Sequence, residues 1–106
     1  MRILFDHCTP RPLRRSLAGH TVSTARELGW ERFKNGRLLD AAELDGFDLL
    51  ISADQSIGYQ QNLSGRRIAV LVLTSPLWPR IKPHAERIAA AVDTMTPGSY
   101  LEFVIT

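Results

Sequence analysis

The stretch Phe47-Asp48-Leu49-Leu50-Ile51-Ser52-Ala53-Asp54 constrains this chain more than any other. Leu49, Leu50 and Ile51 form an unbroken apolar run, too short for a helix, with Gly46 before it and polar residues after it. Such a run reads as a strand over 47–52 that is buried on both faces. Strands buried on both faces belong to parallel sheets covered by helices. In open α/β sheets ligands bind outside the carboxyl ends of the strands, where this strand delivers Asp54. The first strand, residues 2–5, runs in the same way into Asp6. Two buried strands thus each bring an aspartate to one edge.

The remaining segments alternate between strand and helix signals. Residues 6–10 are a loop, and Pro10 and Pro12 suit the start of a helix over about 11–17, which buries Leu13 and Leu17 and stops at Gly19. Residues 20–25 are rich in β-branched side chains and read as a second strand. A short turn or helix around 25–29 and an irregular loop with Trp30 and Phe33 follow. Asn35 has the character of an N-cap, opening a helix over about 36–45 with Leu38, Leu39 and Ala42 on one face and Gly46 as its stop. Residues 53–66 form a long polar loop. Residues 68–73 are another fully buried strand, and Ile81, Ala85, Ile88 and Val92 recur at helical spacing within a helix over about 80–94. After a turn at Pro97-Gly98, a last strand over 100–105 alternates only in part and belongs at a sheet edge. The order predicts one Rossmann-like three-layer α/β domain over 1–106, with a mostly parallel central sheet.

Composition narrows the function classes. The chain has 106 residues and a net charge of +2, a balance that permits nucleic-acid binding without requiring it. Its lone Cys8 excludes an internal disulfide, and no Cys/His group has zinc-finger spacing. No apolar run approaches the roughly 20 residues that span a bilayer, so a cytoplasmic protein with no membrane association is expected. There is no Gly-x-Gly-x-x-Gly and no Walker sequence, which argues against a nucleotide cofactor. A receiver-type domain is excluded too, because Asp6 is followed by His7 and the late strand ends in Leu73-Thr74-Ser75 without a lysine.

Asp6 and Asp54 converging at one edge can bind Mg²⁺ or Mn²⁺, which prefer oxygen ligands. An aspartate just after a strand also caps turns and helices, and both readings stay open. Gln55, Gln61 and Asn62 can hydrogen-bond bases or phosphates beside such a site. Arg14 and Arg66 are candidates for phosphate contacts. Trp30 and Trp78 read as packing residues.

The chain resembles the short PIN-like family of bacterial proteins related to VapC-type toxin nucleases. The matching segments are Ile3-Leu4-Phe5-Asp6 with Thr9-Pro10, Gly19-His20-Thr21-Val22, Glu27-Leu28-Gly29-Trp30 and Asn35-Gly36-Arg37-Leu38-Leu39. Ala42-Glu43, Phe47-Asp48, Ser52-Ala53-Asp54-Gln55, Gln61-Asn62-Leu63 and Arg67-Ile68-Ala69-Val70 continue the match. The resemblance implies a Mg²⁺- or Mn²⁺-dependent ribonuclease, the toxin-like half of a bacterial toxin–antitoxin pair, with a small antitoxin-like partner and a homodimeric tendency. It places the metal on Asp6 and Asp54. The acid that usually opens the helix before the buried strand falls on Asn35, an amide. The helix-borne glutamate of the family has no clear counterpart, with Glu27, Asp40 and Glu43 as candidates. The alternative is a catalytically degenerate PIN-like module that binds RNA or a partner protein.

Overall fold

A computed structural model of the chain describes residues 1–57, 63 and 65–106. Five strands form one sheet, all parallel: β1 (Arg2–Phe5), β2 (Thr21–Thr24), β3 (Leu49–Ser52), β4 (Ala69–Leu73) and β5 (Tyr100–Phe103). Their order in the sheet is β2-β1-β3-β4-β5. The expected mostly parallel sheet is therefore wholly parallel, and β5 lies at an edge beside β4.

Alternation along the central strands sorts their side chains to two faces. Ile3, Phe5, Leu49, Ile51, Leu71 and Leu73 share one face with Leu13 and Leu17 of a 3₁₀ helix (Arg11–Leu17). Two α-helices cover the same face, α2 (Trp78–Ile81) and α3 (Ala85–Thr94), through Ile81, Ile88 and Val92. Leu4, Leu50, Val70 and Val72 share the opposite face with Leu38, Leu39 and Ala42 of α1 (Asn35–Leu44). The result is a three-layer α/β domain. Among the described residues, no helix is long and apolar enough to cross a membrane.

Two elements differ from expectation. The helix over 80–94 is broken: α2 ends at Ile81, a 3₁₀ turn spans Lys82–His84, and α3 starts at Ala85. Pro83 lacks an N–H, and its ring clashes with the carbonyl four residues back, so a continuous α-helix cannot pass through it. The segment 11–17 is helical as expected but takes the tighter 3₁₀ winding used in short pieces.

Helix α1 ends in a Schellman motif. The Phe47 N–H donates to the Ala42 carbonyl at 2.9 Å and the Gly46 N–H to that of Glu43 at 3.1 Å. Gly46 has φ +84°, a left-handed conformation that glycine adopts without strain. This sharp stop sends the chain directly into β3.

The connection β1 to β2 leads toward one edge of the sheet, whereas β3, β4 and β5 step toward the other. The reversal falls between β1 and β3, whose register pairs Phe5 with Ile51. Ligands of doubly wound sheets bind outside the carboxyl ends of the strands at such a switch point.

Candidate functional site

Asp6 and Asp54 leave the two strands that flank this switch point. Asp6 continues the ladder, its N–H donating to the Ile51 carbonyl at 3.2 Å. The residue is only 3% exposed. Oδ1 accepts from the Cys8 N–H at 3.1 Å and lies 2.7 Å from the Thr9 hydroxyl. Thr9 Oγ1 is also 2.8 Å from the Ile51 carbonyl, so its single proton serves one of these two oxygens at a time. Oδ2 accepts from the Ser52 hydroxyl at 2.5 Å.

Ser52 joins the two acids. Fully buried at the end of β3, it donates to Asp6 and accepts the Asp54 N–H at 3.0 Å. Asp54 is half-buried and closes a turn onto Ser56, whose N–H and hydroxyl reach Oδ1 at 2.9 and 2.5 Å. Its Oδ2 accepts from the Asn35 side-chain amide at 2.8 Å. The Ser56 hydroxyl and then the Asn35 amide hold the Asp54 carboxyl below the usual carboxylate range, against the opposing effect of burial. Cys8 lies close enough to feel both acids. Burial first, then the charges of Asp6 and Asp54, pushes its thiol pKa up, so the thiol stays protonated and is a poor nucleophile.

Asn35 thus joins the site, but not as the helix cap. Lys34 is the cap residue of α1 and makes no side-chain cap bond. Asn35 is the first helical residue, and its amide nitrogen faces Asp54.

Other expected residues are placed differently. Arg66 precedes β4 and so lies at the amino ends of the strands, away from Asp6 and Asp54. There it pairs with Asp40 at 2.9 Å and Glu43 at 2.5 Å. The structure therefore does not bring Arg66, expected as a phosphate contact, together with the two acids. Arg14 is at the right end but is bonded to Glu27 at 2.6 Å. Gln55 donates to the Thr74 carbonyl at 2.6 Å, spanning to the end of β4. Gln61 and Asn62 lie outside the described residues.

The three candidates for a further acid are also committed elsewhere. Asp40 and Glu43 hold Arg66. Glu27 and Thr24 cap each other's backbone, the Thr24 N–H reaching Glu27 at 2.8 Å and the Glu27 N–H reaching the Thr24 hydroxyl at 3.1 Å. The Arg14 guanidinium, with the Thr24 N–H, lowers the Glu27 carboxyl to about 2.

A cavity of about 370 Å³ opens beside Asp6. His7 and Thr9 line it from the loop after β1 and Thr24 from the end of β2, together with Arg11, Arg26 and Glu31. No sequence pattern marks Arg11 and Arg26 as site residues. The bracing set of Thr9, Ser52 and Ser56 does carry a signal, because Asp6-x-x-Thr9, Ser52-x-Asp54 and Asp54-x-Ser56 are spacings at which side chains bond local backbone.

Among the described residues, no group of three or more His, Cys, Asp or Glu side chains gathers as a metal centre. An ionised carboxylate has about four lone-pair positions. Described donors take three on Asp54 and, depending on where the one Thr9 proton points, two or three on Asp6. What remains fits one hard cation that keeps most of its waters, the usual state of protein-bound Mg²⁺. It does not fit a two-metal centre.

Fold and site together define a doubly wound α/β domain with an acidic switch point. In comparisons with known proteins, no family model, no curated protein and no solved structure matched the chain.

Proposed function

We propose that this edge is a single-cation phosphodiesterase site acting on RNA, in a protein of PIN-like type. The observation that carries the reading is the chain of hydrogen bonds Asp6–Ser52–Asp54–Asn35 at the β1/β3 switch point. Among the described residues the donors to both carboxylates are neutral groups, which leaves their charge for a cation. Asp6 and Asp54 would hold Mg²⁺ or Mn²⁺, which when bound acidifies water and polarises a phosphoryl oxygen. Ser52 fixes the orientation of Asp6 from a rigid strand. Asn35 fixes Asp54 and ties the start of α1 to the site. With one weakly held cation, substrate phosphate would complete the binding, as is common for Mg²⁺.

The family resemblance extends this reading to a cytoplasmic toxin-like component with a small antitoxin-like protein partner and a homodimeric state. A second reading, a non-catalytic module that binds RNA or protein, is favoured by the donors already on each carboxylate, since that arrangement also suffices to fix two turns.

Mn²⁺ titration calorimetry on the wild type and on Asp6→Asn/Asp54→Asn, with an RNA-cleavage assay alongside, separates the two. Binding and cleavage that both vanish in the double variant support the hydrolase. A folded wild type that neither binds millimolar Mn²⁺ nor cleaves RNA refutes it and leaves the binding module.

A further inference from the structure

The cavity beside Asp6 has a feature that a metal site does not explain. Arg11 and Arg26 both line it and are both exposed. Among the described residues neither pairs with an acid, in contrast to Arg2, Arg14 and Arg66. Both arginines line this space of about 370 Å³ with His7, Thr9 and Thr24, and with the two acids Asp6 and Glu31, so the lining offers two guanidinium side chains against two carboxyl side chains. Arginine is the side chain best matched to the oxygens of a phosphate.

A second observation lies in the segment that follows Arg26. Arg32, Lys34 and Arg37 are exposed there, and none pairs with an acid among the described residues. The Arg37 guanidinium lies 4.3 Å over the Phe33 ring, which stacks on Trp30 at a 16° interplanar angle. Trp30 in turn meets Phe47 edge-on, which anchors the stack to the core. An exposed guanidinium over an aromatic ring is a surface on which an unpaired base can stack.

We infer that Arg11 and Arg26 form a phosphate subsite for single-stranded RNA beside Asp6, with Arg37 on Phe33 as a stacking plane for a neighbouring base. This rests on the proposal that RNA is the ligand of this edge, but not on hydrolysis. It moves the phosphate-binding role from Arg14 and Arg66, whose guanidinium groups are engaged by Glu27, Asp40 and Glu43, to arginines that pair with no acid among the described residues.

The test is fluorescence anisotropy with a labelled single-stranded oligouridine in buffer containing EDTA, so that no metal-dependent step enters. Arg11→Gln/Arg26→Gln should weaken binding at least tenfold. It should also reduce the slope of log affinity against log salt by about 0.7, the share of the one phosphate that is no longer neutralised. Arg37→Gln should weaken binding to the single strand and leave the weaker binding of a duplex of the same length unchanged. Arg66→Gln, at the far edge, should leave affinity within twofold. Thermal melts establish that each variant is folded. Uridine monophosphate as competitor distinguishes a chain phosphate from a terminal one, and only weak competition is expected. Unchanged binding in the folded Arg11/Arg26 variant, no binding by the folded wild type, or effective competition by the mononucleotide would overturn the inference. Binding that meets these expectations in a protein that never cleaves RNA would sink the hydrolase and leave the subsite standing.

Discussion

At the amino ends of the strands, three carboxylates meet cations, while Asp48 accepts from the Arg2 backbone N–H at 2.8 Å. Asp45 pairs with Arg2 at 3.0 Å, and Asp40 and Glu43 share Arg66. At the carboxyl ends, the donors to Asp6 and Asp54 among the described residues are neutral: two backbone N–H groups, three hydroxyls and an amide. Paired charges cross-link elements and cancel. Charges held by neutral dipoles remain, and so do those of Arg11 and Arg26 beside Asp6, which pair with no acid among the described residues. The Arg14–Glu27 pair is the exception at this end, and there Glu27 serves the turn after β2. The position of a charge in the fold therefore says less about its role than the kind of partner it has.

Mutations at the two ends test this contrast. Asp6→Ala should have the largest effect, about 3 kcal/mol lost in urea denaturation, because it orphans buried donors that each cost roughly 1–3 kcal/mol when unsatisfied. A loss below about 1 kcal/mol would mean that the neutral donors do not depend on the acid. Gly46→Ala should cost about 1.5 kcal/mol at the opposite end, through backbone strain rather than charge, since an added Cβ takes a positive φ and would lie 3.1 Å from an Arg2 guanidinium nitrogen. Arg66→Met should cost about 1 kcal/mol, as two acids lose a half-buried partner. Asp45→Asn should cost about 0.5 kcal/mol or less, the usual worth of an exposed ion pair, and that loss should vanish in high salt.

Glu27 supplies a pH test. Its folded carboxyl titrates at about 2, below the ordinary 4.5. The unfolded state therefore binds the proton first as acid is added, and the stabilisation present above about pH 4.5 is lost as pH falls toward 2. Glu27→Gln should flatten that part of the stability–pH profile. An unchanged profile would remove Glu27 from the contrast.

The sheet is largely legible in the chain because fully buried strands announce themselves as apolar runs, and Leu49–Ile51 and Ala69–Leu73 are of this kind. Asp6 and Asp54 are legible for the same reason, standing where such runs end. The strand order is not, because no local pattern says which strands become neighbours. The residue type of Asn35 favours a cap, but a tertiary bond to Asp54 claims its side chain. Arg66 carries a signal against a place beside the acids: a residue just before a strand of a parallel sheet lies at the amino edge. The break at Pro83 is written in the chain as well, but the spacing of Ile81, Ala85, Ile88 and Val92 masks it, because a 3₁₀ turn keeps the same side chains on the core. Arg11 and Arg26 come together only through the pairing of β1 with β2, which brings their two loops to one cavity.

The hydroxyl of Ser52 also sets a dimension. The two acids hang from adjacent strands, which stand roughly 4.8 Å apart in any sheet, and one proton and one lone pair of a buried serine brace the gap. The spacing of the strand ends that carry the acids is therefore a constant of the backbone, and the turn from Asp54 to Ser56 sets the rest. Changes in loops farther out would leave that spacing the same.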